Sequence, residues 1–204
     1  MKILVGCEES QSVTQHMRKQ GHDAHSCDLY SSSHDDESLH QYHLQGDLFY
    51  HFDNPPQGVD QWDMVVAFPP CTYLAVSGNR WMHDERFPNR QNDRLDAIRF
   101  VERIWSLDCE RICIENPIGV LSTQWRRPTQ YIQPYEYGHT ISKKTCLWLR
   151  GLNPLEPTDI RECDREASKQ WYTSALNEKS AEARRKVRSK TFKGIAEAMS
   201  QQWS

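Results

Sequence analysis

Short apolar runs recur along the chain, each closed by a turn signal and several followed by helical periodicity. Ile3-Leu4-Val5 runs into Gly6, and Ser10-Gln11-Ser12 then opens a helix through about Lys19 that Gly21 stops. Ala24-His25-Ser26-Cys27-Asp28 has the composition of a second strand ending on an acid. A polar stretch from Ser31 to His43 leads to a third such segment ending at Asp47. Pro55 and Pro56 mark a loop before the strand Asp63-Met64-Val65-Val66-Ala67. Leu95, Ile98, Val101 and Ile104 lie at helical spacing, which predicts a helix over Gln91 to Leu107, and Arg111-Ile112-Cys113-Ile114 predicts the next strand. Beyond it, Thr145-Cys146-Leu147-Trp148-Leu149 is a further strand, and residues 151 to 178, with Pro154 and Pro157, are expected to be irregular. Glu178 to Lys190 is helix-permissive and basic, and Ile195, Ala196, Ala198 and Met199 give a last helix an apolar face. Strands alternating with helices predict an α/β fold with a doubly wound, mostly parallel sheet and right-handed crossovers. The expected division is a core over 1–150, a reduced, basic, substrate-facing segment over 151–190, and a closing helix over 191–204 that packs back on the core.

The length of 204 residues suits one sizeable core, and no apolar run approaches the roughly 20 residues of a membrane span. An intracellular, cytoplasmic protein is expected. The seven cysteines are odd in number and scattered, often inside apolar strands, as reduced and buried cysteines are. Their spacing, and that of the nine histidines, matches no zinc-ligand pattern, so no metal is expected. A net charge of −3 divides unevenly: residues 1–70 hold 3 Lys and Arg against 11 Asp and Glu, and the remainder 22 against 17. That division fits a first part that handles a small cofactor and a second that faces a polyanion, although ordinary solvated faces produce similar imbalances.

The chemistry concentrates where strands end. Phe68-Pro69-Pro70-Cys71-Thr72 and Glu115-Asn116-Pro117 each follow a buried strand, with a helix between them. In an open parallel sheet such positions converge on one crevice, which points to a thiolate paired with a carboxyl group. Gly6 and the helix start after it suit close approach of a ligand, and Asp28 stands where an acid holds ribose hydroxyls. The chain lacks G-x-G-x-x-G, which argues against a dinucleotide.

The order Gly6-Cys7-Glu8-Glu9-Ser10, Asp28, Gly46-Asp47, Pro70-Cys71-Thr72, Glu115-Asn116-Pro117 resembles that of the cytosine-5 DNA methyltransferases, and most of all the short enzymes found in bacteriophages and prophages. The resemblance implies a methyltransferase-type fold that takes S-adenosylmethionine from the ends of the early strands: Gly6, Cys7, Glu8, Glu9, Ser10, Asp28, Leu29, Asp47, Phe68 and Pro69, with Thr191 from the closing motif. It implies Cys71 as the nucleophile, Glu115 with Asn116 as the acid motif, and Lys143-Lys144 as the basic cluster, either lysine binding phosphate or keeping Cys71 ionised. DNA is the implied partner, with Ser77, Arg80, Trp81, Arg126, Arg127 and Arg185 as candidate contacts. Where full-length members carry a large recognition domain, about forty residues remain here, so specificity is expected to be short, relaxed or supplied by a partner, a second copy included. Protection of viral DNA from restriction is the implied purpose. The rivals are an amino-methyltransferase, whose signature lacks its polar first position here, the same chemistry on RNA or a free nucleotide, and a degenerate, non-enzymatic binding protein.

Overall fold

Alternation along the central strands assigns the two faces of the sheet. Ile3 and Val5 of β1 (Lys2–Gly6), Met64 and Val66 of β4 (Met64–Ala67) and Cys113 of β5 (Arg111–Pro117) point one way. There they meet Val13 and Met17 of α1 (Ser12–Lys19) and the apolar side of α7 (Lys193–Gln202). Leu4, Val65, Ala67, Ile112 and Ile114 point the other way, against Ile98, Val101 and Ile104 of α3 (Arg90–Trp105) and Leu48 and Phe49 of α2 (Leu48–Asp53). A strand buried on both faces needs apolar residues at every position, which is why these strands are continuous runs. The computed structural model describes all residues except His83 and Asp84, and all side chains except theirs and those of Arg80, Ala175, Ala181, Glu182 and Arg185.

With β2 (Asp23–Asp28), β3 (His43–Gln45), β6 (Gln130–Ile132) and β7 (Thr145–Arg150), the strands form one sheet in the order β3-β2-β1-β4-β5-β7-β6. Strands β1 to β5 are parallel, and β7 runs antiparallel between β5 and β6. The order matches the dinucleotide-binding arrangement as far as β5 and then departs from it through the inserted, reversed strand. The direction of chain winding reverses between β1 and β4, which opens a crevice at the carboxyl ends of those two strands.

Three expectations change. Strand β5 runs past Ile114 to Pro117, because β7 continues the ladder beyond the end of β4: Glu115 pairs with Leu147, Asn116 with Cys146 and Pro117 with Thr145. The stretch expected to be irregular contains α5 (Arg165–Asn177), started by Asp164, whose carboxylate accepts from the amides of Glu166 and Ala167. An unexpected single helical turn, α4 (Leu121–Gln124), follows β5, whereas α6 (Ala181–Ser189), capped by Ser180, forms inside the basic stretch expected to be helix-permissive. All seven cysteines are free thiols. Among the described residues, no helix is long and apolar enough to cross a membrane.

Candidate active site

The turn after β1 carries Cys7 in the left-handed region at φ 58°, and the amide of Glu8 donates to the Cys27 carbonyl of β2. That geometry swings the Glu8 side chain under α1, where its carboxylate accepts from the Val13 and Thr14 amides and the Thr14 hydroxyl. Burial pushes the Glu8 pKa up to about 7 against the pull of those donors. A helix start of this kind is the usual seat of a pyrophosphate, and here the protein's own carboxyl occupies it. Glu8 therefore shapes the crevice from beneath instead of lining it.

Gly6 is also explained by packing: a Cβ there would lie 2.7 Å from Leu48 Cδ1. Asp47 caps α2, accepting from the Phe49 and Tyr50 amides at 3.0 Å. Asp28 accepts from the Tyr30 amide at 3.0 Å, and Leu29 beside it is 70% exposed. Burial and then the Asp28 and Asp47 charges raise the Cys7 thiol pKa, so Cys7 stays a neutral thiol with two carboxylates near it. Glu9, nearly buried, reaches Lys186 of α6 at 3.6 Å. Ser10, whose hydroxyl is 3.1 Å from that of Ser12, borders a cavity of about 330 Å³ that Lys186 and Lys190 also line.

The loops that carry the two chemical motifs are zipped together. The Val76 amide donates to the Ile118 carbonyl at 3.1 Å, the Val120 amide to Leu74 at 2.9 Å, and Asn116 Nδ2 to the Pro69 carbonyl at 2.8 Å. Asn116 is 1% exposed, so it acts as a strut between the motifs, with Oδ1 left without a hydrogen-bond partner among the described residues. Pro69 is consequently part of the frame, and Phe68 packs against the core. Gly119 makes the zipper possible, since a Cβ there would stand 1.9 Å from the Leu74 carbonyl oxygen. Gly119→Ala is expected to destabilise the fold by about 1–3 kcal/mol, a melting temperature lower by roughly 2–4 °C per kcal/mol, measured by thermal denaturation.

Cys71 and Glu115 both stand at the carboxyl end of the paired strands β4 and β5, beside this zipper. Burial raises the Cys71 thiol pKa first and the Glu115 charge second, while Lys143 and Arg188 pull it down. Burial likewise raises the Glu115 pKa, opposed first by the Lys143 charge and then by the nearby Thr145 hydroxyl, which itself donates to the Lys143 carbonyl at 3.1 Å. The neighbouring lysines divide: Lys143 serves this pair, whereas Lys144 is exposed with its ammonium 4.4 Å from the Tyr131 ring. Lys143→Ala is therefore expected to slow alkylation of Cys71 at neutral pH by roughly tenfold, about what one lost cation does to a thiolate fraction, and Lys144→Ala to leave it unchanged.

The loop after Cys71 is braced by arginines that stand apart from the sequence motifs. Arg90 Nη2 donates to the Thr72 carbonyl at 3.3 Å, and Arg94 Nε donates to that of Tyr73 at 2.9 Å. Their spacing of four along α3 puts both on one face, a signal that helical periodicity could have supplied. In the same loop Ser77 is exposed, and Trp81 lies 5.9 Å from the Phe87 ring with Arg86 5.4 Å from it. The side chains of Arg80 and Arg185 lie outside the described residues. Arg126 is drawn away from the crevice: its guanidinium lies 4.8 Å from the ring of Trp105, at the end of α3 that leads to the amino end of β5. Arg127 is exposed in the same loop, and Thr191 is half-buried between α6 and α7. In comparisons with known proteins, no family model and no curated protein matches this chain.

Proposed function

We propose that the protein is a DNA (cytosine-5-)-methyltransferase that uses S-adenosylmethionine and acts through a covalent adduct at Cys71. The observation that carries this reading is that the Pro69–Cys71 and Glu115–Pro117 segments lie side by side at the carboxyl edge of the paired strands β4 and β5, tied by Asn116 to Pro69, with Glu115 and Lys143 among the charges that act on the thiol. The β1 side of the crevice suits the cofactor. The helix start is filled by a carboxyl group, which disfavours a pyrophosphate, and the Asp28 and Asp47 carboxylates near the neutral Cys7 thiol are compatible with a cationic sulfonium. Gly6, Cys7, Asp28, Leu29 and Phe68 would hold it, and when bound it supplies an electrophilic methyl group.

The protein's part follows from its own groups. Carbon 5 of cytosine is a poor nucleophile, and addition of Cys71 Sγ at carbon 6 moves electron density onto it. A protonated Glu115 donates to ring nitrogen 3 and takes up the charge that develops there as the S–C bond forms. Lys143 offsets the negative charge shared by the thiolate and the carboxyl group. Once carbon 5 is methylated, a base removes its remaining proton, the electron pair restores the ring double bond, and Cys71 Sγ leaves as thiolate. In a duplex the target base has to leave the stack to reach Cys71, at a cost of a few kcal/mol. The arginine and aromatic cluster of the Cys71 loop is the surface suited to the strand that remains.

The test is transfer of labelled methyl from S-adenosylmethionine to duplex DNA, single-stranded DNA, RNA and deoxycytidine nucleotides. Label recovered from DNA as 5-methylcytosine is the expected result. Label confined to RNA or to nucleotides would replace the substrate, and label on the exocyclic nitrogen would replace the reaction. Cofactor binding with no transfer to any of the four would leave a binding protein and overturn the enzyme.

A further inference from the structure

A cavity of about 400 Å³ lies between the Cys71 loop and α3, and none of the strand-end motifs lines it. Its walls are Asn79 and Met82 from the segment after Cys71, Gln91, Arg94 and Leu95 from α3, and Gln124 at the end of α4. The size is that of a small-ligand site. Leu95 stands at helical spacing with Ile98, Val101 and Ile104, yet it is 50% exposed where the other exposed positions of α3 are polar. With the half-buried Met82 it gives the cavity an apolar lining.

The polar groups of the lining divide by what they already hold. Arg94 Nε donates to the Tyr73 carbonyl at 2.9 Å and Nη2 to Asn79 Oδ1 at 2.7 Å, so this guanidinium is a brace within the wall. The side-chain amides of Gln91 and Gln124 hold no hydrogen-bond partner among the described residues. A phosphate is held best by cations free to close on it, and the Arg94 fork is already engaged on the loop. Apolar walls with neutral amides, each presenting a donor and an acceptor side by side, instead suit a flat heterocycle with apolar faces and a donor-acceptor edge. Adenine is the base whose N6 and N7 match an amide in two hydrogen bonds.

Arg94 also fixes where such a base would come from. It ties the cavity wall to Tyr73, two residues after Cys71, and Arg90 ties Thr72 to the same helix. A strand that delivers cytosine to Cys71 runs along this loop, and a base flanking that cytosine is the group brought to the cavity. We propose that the cavity between the Cys71 loop and α3 seats a base flanking the target cytosine, adenine best of all, and that Gln91 and Gln124 read its edge. Sequence preference is then built into this chain. The inference rests on the reading that a nucleic-acid strand lies across Cys71, but its test needs neither cofactor nor methyl transfer.

That test is equilibrium binding of the full chain, followed by fluorescence anisotropy, to labelled single-stranded and duplex DNA holding one cytosine and varied at one flanking position at a time. Wild type is expected to bind about tenfold tighter when one flanking position is adenine, the discrimination that a bidentate amide contact supplies. Gln91→Ala and Gln124→Ala are each expected to weaken binding to the preferred sequence and to leave the other sequences at wild-type affinity. Both residues are exposed, so truncation leaves the core intact, and equal melting temperatures verify this. A wild type without flanking preference overturns the site, as do variants that keep the preference or bind every sequence equally more weakly. Methyl transfer to DNA with a flanking profile unchanged in both variants overturns this inference and leaves the reaction standing. A preference that the variants abolish, in a protein that transfers no methyl group, overturns the reaction and leaves the site standing.

Discussion

Cys71→Ala is expected to reduce methyl transfer to background while leaving cofactor binding and the melting temperature close to wild type. The side chain is half-buried at a loop, whereas Cys27, Cys113 and Cys146 are buried in the core, so its removal opens little cavity. The loop itself is held by other atoms: the Cys71 carbonyl accepts from the Leu74 and Ala75 amides, and the arginines of α3 hold the Thr72 and Tyr73 carbonyls. Without the sulfur, no atom at this position adds to carbon 6, and the uncatalysed reactivity of carbon 5 remains. The measurement pairs label incorporation with calorimetric cofactor binding on the same preparation. Residual transfer above background with binding intact would mean that another group is the nucleophile.

Glu115→Gln is expected to lower the rate by about 10²–10⁴, the usual worth of a positioned general acid, with a change in the pH profile that a structural role would not produce. Burial raises the Glu115 pKa, so its proton is retained to higher pH than that of a free carboxyl group. Activity that needs this proton falls as pH rises through the raised value, and activity that needs the Cys71 thiolate falls as pH drops below the thiol's own raised value. The wild-type profile is therefore bell-shaped, and the alkaline limb due to Glu115 disappears in Glu115→Gln. Stability has the same sign. Because the folded pKa lies above the unfolded one, the contribution from Glu115 is fully present below the unfolded value and is lost as pH rises through the folded value. Glu115→Gln is thus expected to melt higher than wild type at alkaline pH and alike at acid pH. A mutant that is less stable at every pH would assign Glu115 to the frame.

Much of the architecture was written locally. Val65-Val66-Ala67 and Ile112-Cys113-Ile114 are apolar at every position because both faces of a central strand are covered, and the helix expected over 91–107 forms over Arg90–Trp105. The short edge strands β3 and β6 gave little signal, since three residues with one partner carry little pattern. The Arg165–Asn177 helix was hidden by polar composition and by the prolines before it, and Asp164 as its cap was the available clue.

Residue type and order along the chain determined which groups stand at the ends of β1, β2, β4 and β5, and so that a thiol and a carboxyl group share one crevice, because strand ends in a parallel sheet lie on one edge. Only the tertiary structure decided what each neighbour does there. It turned Glu8 into the cap of α1 and Asp47 into that of α2, made Asn116 a strut to Pro69, sent Lys144 to Tyr131 and Arg126 to Trp105, and brought the Arg188 carbonyl from α6 to the Lys143 ammonium. These choices depend on side-chain direction and on contacts between segments remote in sequence, where hydrogen-bond geometry and packing select one partner among several of equal chemistry.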